Sequence, residues 1–138
     1  MTENIEFRQT KNINSQALKS LYENAGWTSY TSNMQVLLKA VENSLYVISA
    51  WHDNKLIGLL RAVGDGEVIL YIQDILVLDT YKRKGIGRKL METAMDKYKN
   101  ARQFVLLTED TKETRLFYES LGFTSCDKGK AVAFTIQK

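Results

Sequence analysis

The chain has 138 residues, of which 44% are hydrophobic and 25% are charged. This balance excludes a disordered chain and predicts one domain over residues 1–138. The single cysteine, Cys126, excludes an internal disulfide framework and predicts a reducing, cytoplasmic location. No apolar run approaches the roughly 20 residues that cross a bilayer, so we expect no membrane partner. The net charge of +3 is low, and the basic residues cluster around Lys82, which favours a local anion site.

The first half of the chain combines helical and strand patterns. Apolar residues at three- and four-residue spacing predict helices, and runs rich in β-branched and aromatic residues predict strands. The Asp53-Asn54-Lys55 turn predicts an antiparallel hairpin. The predicted strands are Ile5 to Thr10, Leu45 to Trp51 and Leu56 to Val63, and the predicted helices are Ser15 to Asn24, ended by Gly26, and Asn33 to Val41.

The second half begins with an almost continuous apolar run, Val68 to Leu78, which predicts a central strand covered on both faces. An amphipathic helix is predicted next, and Asp110 with Glu113 indicates the capped start of another helix that Gly122 ends. The remaining predicted elements are the helix Gly85 to Lys97 and the strands Phe104 to Leu107 and Ala131 to Ile136. The order predicts an α/β (α+β) domain with a mixed, mostly antiparallel central sheet flanked by helices.

A basic segment with two glycines, Lys82 to Arg88, joins the central strand to the next helix. Backbone N–H groups and the helix dipole bind anions at such a position, and glycine lets the backbone approach a phosphate. A dinucleotide fingerprint would need a third glycine where Leu90 stands, and the chain has no Walker-type Gly-Lys-Ser/Thr. Aromatic residues interleaved with basic ones, as in single-strand nucleic-acid binding, are missing. The segment predicts an anion site, with a solvated helix start as the alternative.

Two motifs resemble the GNAT superfamily of acyl-CoA-dependent N-acetyltransferases. Lys82 to Gly87 is similar to its main signature: a basic residue or Gln, two residues, Gly, any residue, then Gly or Ala. Phe117 to Phe123 is similar to its second signature, a Phe-Tyr pair followed after three residues by Gly-Phe. The chain departs from the family at Asp79, which replaces a proline, and at Thr111 and Thr114, where Asn and Ala are common. The resemblance covers nearly the whole chain and implies a GNAT-like fold.

The resemblance implies direct transfer of an acetyl group from acetyl-CoA to a primary amine, without a metal. In the family, main-chain N–H groups of a bulged central strand hold the pantetheine and the carbonyl, and the glycine turn takes the pyrophosphate. The implied acetyl-CoA-binding residues are Ile75, Leu76, Val77, Lys82, Arg83, Lys84, Gly85, Ile86, Gly87 and Arg88. Tyr118 matches the tyrosine that reprotonates the coenzyme A thiolate; the alternative is a core tyrosine.

A base must take a proton from the amine, because an alkyl amine is only about one part in a thousand neutral at pH 7. Gln73 and Asp74 interrupt the apolar strand, and Tyr71 precedes them. Asp74 is the only carboxylate nearby, so it is predicted to bind or deprotonate the amine, against a structural hydrogen-bonding role. A bulge would decide which face it occupies. Tyr71 and Gln73 occupy slots where the family often has a base or a water-holding residue, so proton removal through ordered water is the other route.

Trp27 and Tyr30 lie between the first two predicted helices, a region that shapes the acceptor pocket in the resembling family. Aromatic walls would suit an amine on an apolar body; the alternative is that both residues pack a loop onto the core. We expect a small acceptor of arylalkylamine or polyamine type, with a protein lysine or N-terminus as the alternative. A non-catalytic acyl-CoA-binding regulatory module is a third reading. Nucleic acid is not an expected partner, and a homodimer is compatible with the sequence, which does not indicate a pairing face.

Overall fold

A five-stranded sheet organises the larger of two units in the computed structural model, which describes residues 4–138. The units are Met1–Leu107 and Thr108–Lys138. The strands of the larger unit are β1 Ile5–Arg8, β2 Tyr46–His52, β3 Lys55–Gly64, β4 Ile69–Val77 and β5 Gln103–Leu106. Its helices are α1 Ser15–Asn24, α2 Thr28–Thr31, α3 Met34–Glu42 and α4 Ile86–Lys97. The smaller unit contains α5, Lys112–Ser120.

The sheet follows chain order, β1-β2-β3-β4-β5. Strands β1 to β4 pair antiparallel, and β4 and β5 pair parallel. A parallel neighbour requires a crossover, and α4 supplies it between β4 and β5. The mixed, mostly antiparallel sheet flanked by helices is therefore confirmed.

Apolar faces of α1, α3 and α4 form the core on the sheet. Buried residues of α1 and α3 form one cluster with residues of β2, β3 and β4, and α4 contacts β2, β3 and β4. The helical spacing predicted from sequence explains this packing, since it gives each helix one apolar face. The buried residues of these helices are Leu18, Leu21 and Tyr22 in α1, Leu37 and Val41 in α3, and Ile86, Leu90, Met91 and Ala94 in α4.

Strand β4 contains a β-bulge next to the residues of the candidate site. Arg61 of β3 pairs with Asp74 and its neighbour Ala62 pairs with Ile72, so Gln73 is an extra residue in β4. Such a β-bulge reverses the alternation of side chains. Pairing with β5 stops at Ile72, whereas β4 continues to Val77. The edge of β4 at residues 73–77 is therefore not hydrogen-bonded to β5.

Three local predictions were wrong. A short helix, α2, follows Trp27 where a loop was expected. The side chain of Thr111, and not of Asp110, caps α5 by accepting a hydrogen bond from the Thr114 N–H, because Asp110 instead pairs with Arg115. The expected strand Ala131 to Ile136 has no regular secondary structure. A strand needs a hydrogen-bonding neighbour, and no strand among residues 4–138 pairs with this segment.

Candidate active site

The first part of the candidate site is the edge of β4 at residues 73–77, called the open edge because it has no hydrogen bonds to β5. Ile75, Leu76 and Val77 pair with β3 on one side, opposite Leu60, Leu59 and Gly58 respectively. On the other side β5 has already ended, so alternate backbone N–H and C=O groups of residues 73–77 have no partner in β5. An extended chain with amide groups can bind such an edge as an added strand would.

The basic segment follows β4 closely. A single 3-10 turn at Asp79–Tyr81 leads into it, and α4 then begins at Ile86. Arg83 and Gly85 both have left-handed backbones, with φ of 64° and 82°. Glycine adopts this conformation without a steric penalty, which explains why it precedes the helix.

The N-terminus of α4 is electrostatically suited to an anion. The first N–H groups of a helix have no intrahelical partner, and they carry the positive end of the helix dipole. No acidic residue lies in the first turn of α4. Lys82, Arg83, Lys84 and Arg88 add positive charge around the same turn. The structure therefore brings the predicted basic residues and both glycines together at one helix start.

Neighbouring side chains hold this turn in place. Lys82 forms an ion pair with Asp79 at 3.1 Å, and the Lys84 ammonium lies 5.5 Å from the centre of the Tyr81 ring. The Tyr81 hydroxyl lies 2.6 Å from Nδ1 of His52, at the end of β2. Tyr81 thus ties the basic segment to the β2–β3 hairpin.

Asp74 lies in a buried polar cluster. Its Oδ2 accepts hydrogen bonds from Nε of Arg61 at 2.8 Å and from the Tyr22 hydroxyl at 2.9 Å, and its Oδ1 accepts one from the Tyr30 hydroxyl at 3.0 Å. The side chains of Arg61 and Asp74 are only 8% and 2% exposed. Arg61 also donates to Oγ of Ser44 at 3.3 Å. Both carboxylate oxygens of Asp74 are therefore occupied.

The electrostatics of the cluster stabilise the ion pair. Burial lowers the pKa of Arg61, but the Asp74 carboxylate more than offsets this and leaves that pKa above its usual value. Burial, together with the same carboxylate, raises the pKa of Tyr22. Tyr22 therefore stays a neutral hydrogen-bond donor, and Arg61 stays charged.

Three aromatic side chains pack against one another at the Asp74 cluster. Rings of Tyr22, Trp27 and Tyr30 lie with centroids 5.2 to 6.0 Å apart. The Tyr30 hydroxyl, which donates to Asp74, lies 3.4 Å from Nε2 of the exposed Gln73. Burial raises the pKa of Tyr71, and the nearby Tyr30 and Asp74 raise it further, so this phenol stays protonated near neutral pH. Trp27, Tyr30 and Gln73 thus lie beside the bulge of β4.

Tyr118 lies on α5, in the smaller unit. Its ring contacts those of Phe117 and Phe123, with centroids 5.0 and 5.9 Å apart. The Phe123 N–H donates to the Tyr118 carbonyl at 3.1 Å and Gly122 has φ of 98°, which together end the helix. Burial raises the pKa of Tyr118, and a hydrogen bond with Thr108 opposes that rise. The phenol is therefore protonated at neutral pH.

Sequence reasoning missed Arg61 and Tyr22. A signal was present for Arg61, since it is the one charged residue within the apolar run Leu56 to Val63. Its partner across the sheet could not be identified, because the register of β3 against β4 depends on the bulge at Gln73. Tyr22 fits the apolar face of α1 and gave no polar signal.

Within residues 4–138, no group of three or more His, Cys, Asp or Glu side chains could hold a metal ion. No helix in this part of the chain is long and apolar enough to span a membrane.

Comparisons with known proteins show that the chain is an acyltransferase, and they identify its family. Residues 9–134 match the model of the acetyltransferase (GNAT) domain. The chain is 31% identical over 134 residues to the N-acetyltransferase ycf52-like of Prochlorococcus marinus, covering 93% of this chain and 72% of that protein. It therefore belongs to the GNAT family of N-acetyltransferases.

Solved structures agree with this assignment. A GNAT family acetyltransferase of Streptococcus pneumoniae TIGR4 matches with a TM-score of 0.87 and 32% identity, over 97% of this chain and 98% of that one. An aminoglycoside acetyltransferase from an uncultured soil metagenomic sample has the same fold, with a TM-score of 0.73 and 22% identity, over 97% and 96% of the two chains.

Proposed function

We propose that this N-acetyltransferase moves an acetyl group from acetyl-CoA directly to the primary amine of a small molecule, of arylalkylamine or polyamine type. The observation that carries the proposal is the open edge of β4 at residues 73–77, followed within a few residues by the basic segment Lys82 to Arg88. Acetyl-CoA has an extended arm with amide groups, which the open edge would bind, and a pyrophosphate, which the basic segment would bind. The exposed thiol of Cys126 is compatible with the reducing cytoplasm that we propose as its location.

The basic segment is proposed to bind the pyrophosphate. N–H groups of Ile86, Gly87 and Arg88 begin α4 and would donate to phosphate oxygens, helped by the left-handed turn at Gly85. The side chains of Lys82, Arg83, Lys84 and Arg88 would add attraction through their charge. Residues of the turn thus supply binding energy far from the reacting thioester.

The open edge of β4 is proposed to bind the pantetheine arm. Backbone groups of Ile75 and Val77 lie on one edge of the strand, since successive residues alternate in direction. Their carbonyl and N–H groups would pair with the amides of the arm, and one of the two N–H groups would donate to the thioester carbonyl. Such donors stabilise the oxyanion that develops when the amine attacks.

Tyr118 is proposed as the general acid. The attack of the amine forms a C–N bond, and collapse of the tetrahedral intermediate breaks the C–S bond and releases a thiolate. A phenol and a thiol have similar pKa values, so Tyr118 would donate its proton to that sulfur. The raised pKa of Tyr118 keeps the proton available until this step.

Proton removal from the amine is proposed to run through ordered water. Asp74 would serve as a positioning residue, since protonating it would require displacing a donor from Arg61, Tyr22 or Tyr30. The exposed amide of Gln73 and the phenol of Tyr71 can hold a water beside the bulge. Asp74 would then hold the Tyr30 ring in place by accepting the hydrogen bond from its hydroxyl.

Trp27 and Tyr30 are proposed to contact the acceptor. Their rings lie beside the Asp74 cluster, and Tyr30 reaches both Asp74 and Gln73 with its hydroxyl. Aromatic faces attract ammonium groups and pack against apolar bodies. A small amine with an aromatic or methylene body fits this chemistry.

The test is acetyl-CoA turnover, followed by release of free thiol, with arylalkylamines, polyamines, aminoglycosides and lysine peptides as acceptors. Binding of acetyl-CoA is measured in parallel by calorimetry. Turnover confined to small amines supports the proposal. Turnover only on peptides would replace the acceptor class by protein lysine or N-termini. Tight binding without turnover on any amine would instead favour an acyl-CoA-binding regulatory module.

A further inference from the structure

His52 occupies a rigid position at the end of β2. It pairs with Lys55 of β3, and Asp53 and Asn54 between them have left-handed backbones, with φ of 49° and 65°. A two-residue turn with both residues at positive φ is the tight connection that fits the twist of two antiparallel strands. The His52 side chain is only 28% exposed. The hairpin therefore holds this imidazole at a defined place.

The imidazole of His52 contacts the residue that leads into the basic segment. Its Nδ1 lies 2.6 Å from the Tyr81 hydroxyl, and the two rings meet edge to face, with centroids 5.6 Å apart. Its Nε2 lies 3.5 Å from Oδ2 of Asp53, and a carboxylate oxygen accepts hydrogen bonds. Nε2 therefore carries the proton of the neutral imidazole, and Nδ1 accepts a hydrogen bond from the Tyr81 hydroxyl.

Tyr81 in turn contacts the basic segment. The Lys84 ammonium lies 5.5 Å from the centre of the Tyr81 ring, which is within the range of cation–π attraction. Arg83, between these two residues, has a left-handed backbone that is uncommon for residues other than Gly, Asn and Asp. Such a conformation persists where surrounding contacts hold it. The contacts of Tyr81 and Lys84 lie on either side of Arg83 and supply such a restraint.

The start of the connection between β4 and α4 is held by other contacts. The Leu78 N–H donates to the Ile57 carbonyl at 2.8 Å, and the Asp79 N–H donates to Oδ1 of Asn24 at 3.1 Å. These bonds keep the chain after β4 in place without the imidazole. Loss of the bond between the imidazole and the phenol is therefore expected to loosen the basic segment and to leave the fold intact.

We propose that His52 is a positioning residue for acetyl-CoA, which through Tyr81 holds the basic segment in the conformation that binds the pyrophosphate. This role rests on the proposed function, because it takes the basic segment as the pyrophosphate site. A segment that is already ordered binds more tightly, since less freedom is lost on binding. One hydrogen bond of this kind is expected to change the Kd of acetyl-CoA by about three- to tenfold.

The first experiment measures the Kd of acetyl-CoA by calorimetry for single and double variants. His52→Leu and Tyr81→Phe each remove one partner of the bond, so each is expected to raise the Kd by about three- to tenfold. The double variant is expected to raise it no further, because both changes remove the same interaction. His52→Asn keeps a hydrogen-bond acceptor near the position of Nδ1 and should restore most of the wild-type affinity.

Tyr98→Phe is the matched control for Tyr81→Phe. It also removes a phenol beside a lysine, since the Lys97 ammonium lies 5.8 Å from the centre of the Tyr98 ring, but it does so at the other end of α4. This control is expected to keep the wild-type Kd. A wild-type Kd for His52→Leu, or additive effects in the double variant, would overturn the proposal.

The second experiment separates positioning from a general loss of structure. S-acetylpantetheine keeps the thioester and the amide-containing arm but lacks the pyrophosphate, so it does not depend on the basic segment. For His52→Leu, kcat/KM is expected to fall about three- to tenfold with acetyl-CoA and to equal that of the wild type with S-acetylpantetheine. The midpoint of urea unfolding is expected to be unchanged. Equal losses with both thioesters would overturn the proposal.

Failure of this role and failure of the proposed function give different results. If the wild type binds acetyl-CoA but acetylates no amine, the proposed acceptor chemistry fails, and the Kd comparison still decides the role of His52. If the wild type acetylates an amine while His52→Leu and Tyr81→Phe keep its Kd, the proposed function stands and the role of His52 fails. A wild type that binds no acetyl-CoA would overturn both.

Discussion

Turnover is expected to depend more on the Tyr118 hydroxyl than on any other side-chain group. Tyr118→Phe keeps the ring that packs against Phe117 and Phe123 and removes only the hydroxyl, the proposed general acid. General acid catalysis contributes about 10²- to 10⁴-fold, so kcat is expected to fall by that factor while the Kd of acetyl-CoA is unchanged. Thiol-release kinetics and calorimetry measure the two quantities.

A matched control for this variant is Tyr98→Phe, which removes a phenol from the end of α4 and is expected to retain wild-type kcat. Equal kcat for Tyr118→Phe and wild type would remove Tyr118 from the acid role.

The pH dependence of turnover follows from the same phenol. Burial raises the pKa of Tyr118 above the ordinary value of about 10. In the proposed mechanism the neutral phenol is the active form, so activity should be retained below the raised pKa and lost above it. The kcat of the wild type is therefore expected to show no descending limb between pH 7 and pH 10. A descending limb centred near pH 8 would contradict the assignment.

Asp74 is expected to matter for stability more than for proton transfer. Asp74→Asn leaves the buried charge of Arg61 without its partner, and breaking buried ion pairs costs about 3 to 5 kcal/mol. Urea unfolding measures this loss, and Glu6→Gln, which breaks an exposed pair with Arg8, should leave stability nearly unchanged. The shape of the pH–rate profile of Asp74→Asn is expected to match the wild type. A lost ascending limb would make Asp74 the base.

At the scale of elements, the turn before α4 is the part most sensitive to backbone change. Gly85 has φ of 82°, and an alanine there would be strained by roughly 1 to 2 kcal/mol. Its Cβ would meet nothing within 4 Å, so the effect is conformational and not steric. Gly85→Ala is expected to weaken acetyl-CoA binding severalfold, as measured by calorimetry.

Gly26→Ala is the matched control for this turn. Gly26 has φ of 79° and equally open surroundings, so it carries the same backbone penalty outside the basic segment. Its variant should lose similar stability and keep the wild-type Kd. Equal Kd values for both alanine variants would contradict the role of Gly85.

Most elements could be predicted from local sequence because their signals are local. The hairpin of β2 and β3 follows from its turn, and α1 follows from its apolar spacing, with bounds that match the structure at Ser15 and Asn24. The tail Ala131 to Ile136 has an equally clear strand pattern and yet forms no strand. Strand formation depends on a partner elsewhere, and that dependence is not visible in a segment's own residues.

At the scale of the whole molecule, the site was partly predictable. The basic segment and the central strand are adjacent in the chain, so their proximity needed no tertiary knowledge. The cluster of Asp74, Arg61 and Tyr22 joins β4, β3 and α1, and its geometry depends on a register shift at Gln73. Such contacts between distant elements arise from packing and were therefore missed.

The proposed function is tested most directly by the rate of acetyl-CoA-dependent thiol release by the wild-type protein with the small-amine panel, with mass spectrometry of the product. The proposed function predicts saturable turnover on at least one small amine, with one acetyl group added to its nitrogen. Saturable acetyl-CoA binding with no acetylated small amine, or acetylation confined to peptides, would contradict the proposed function.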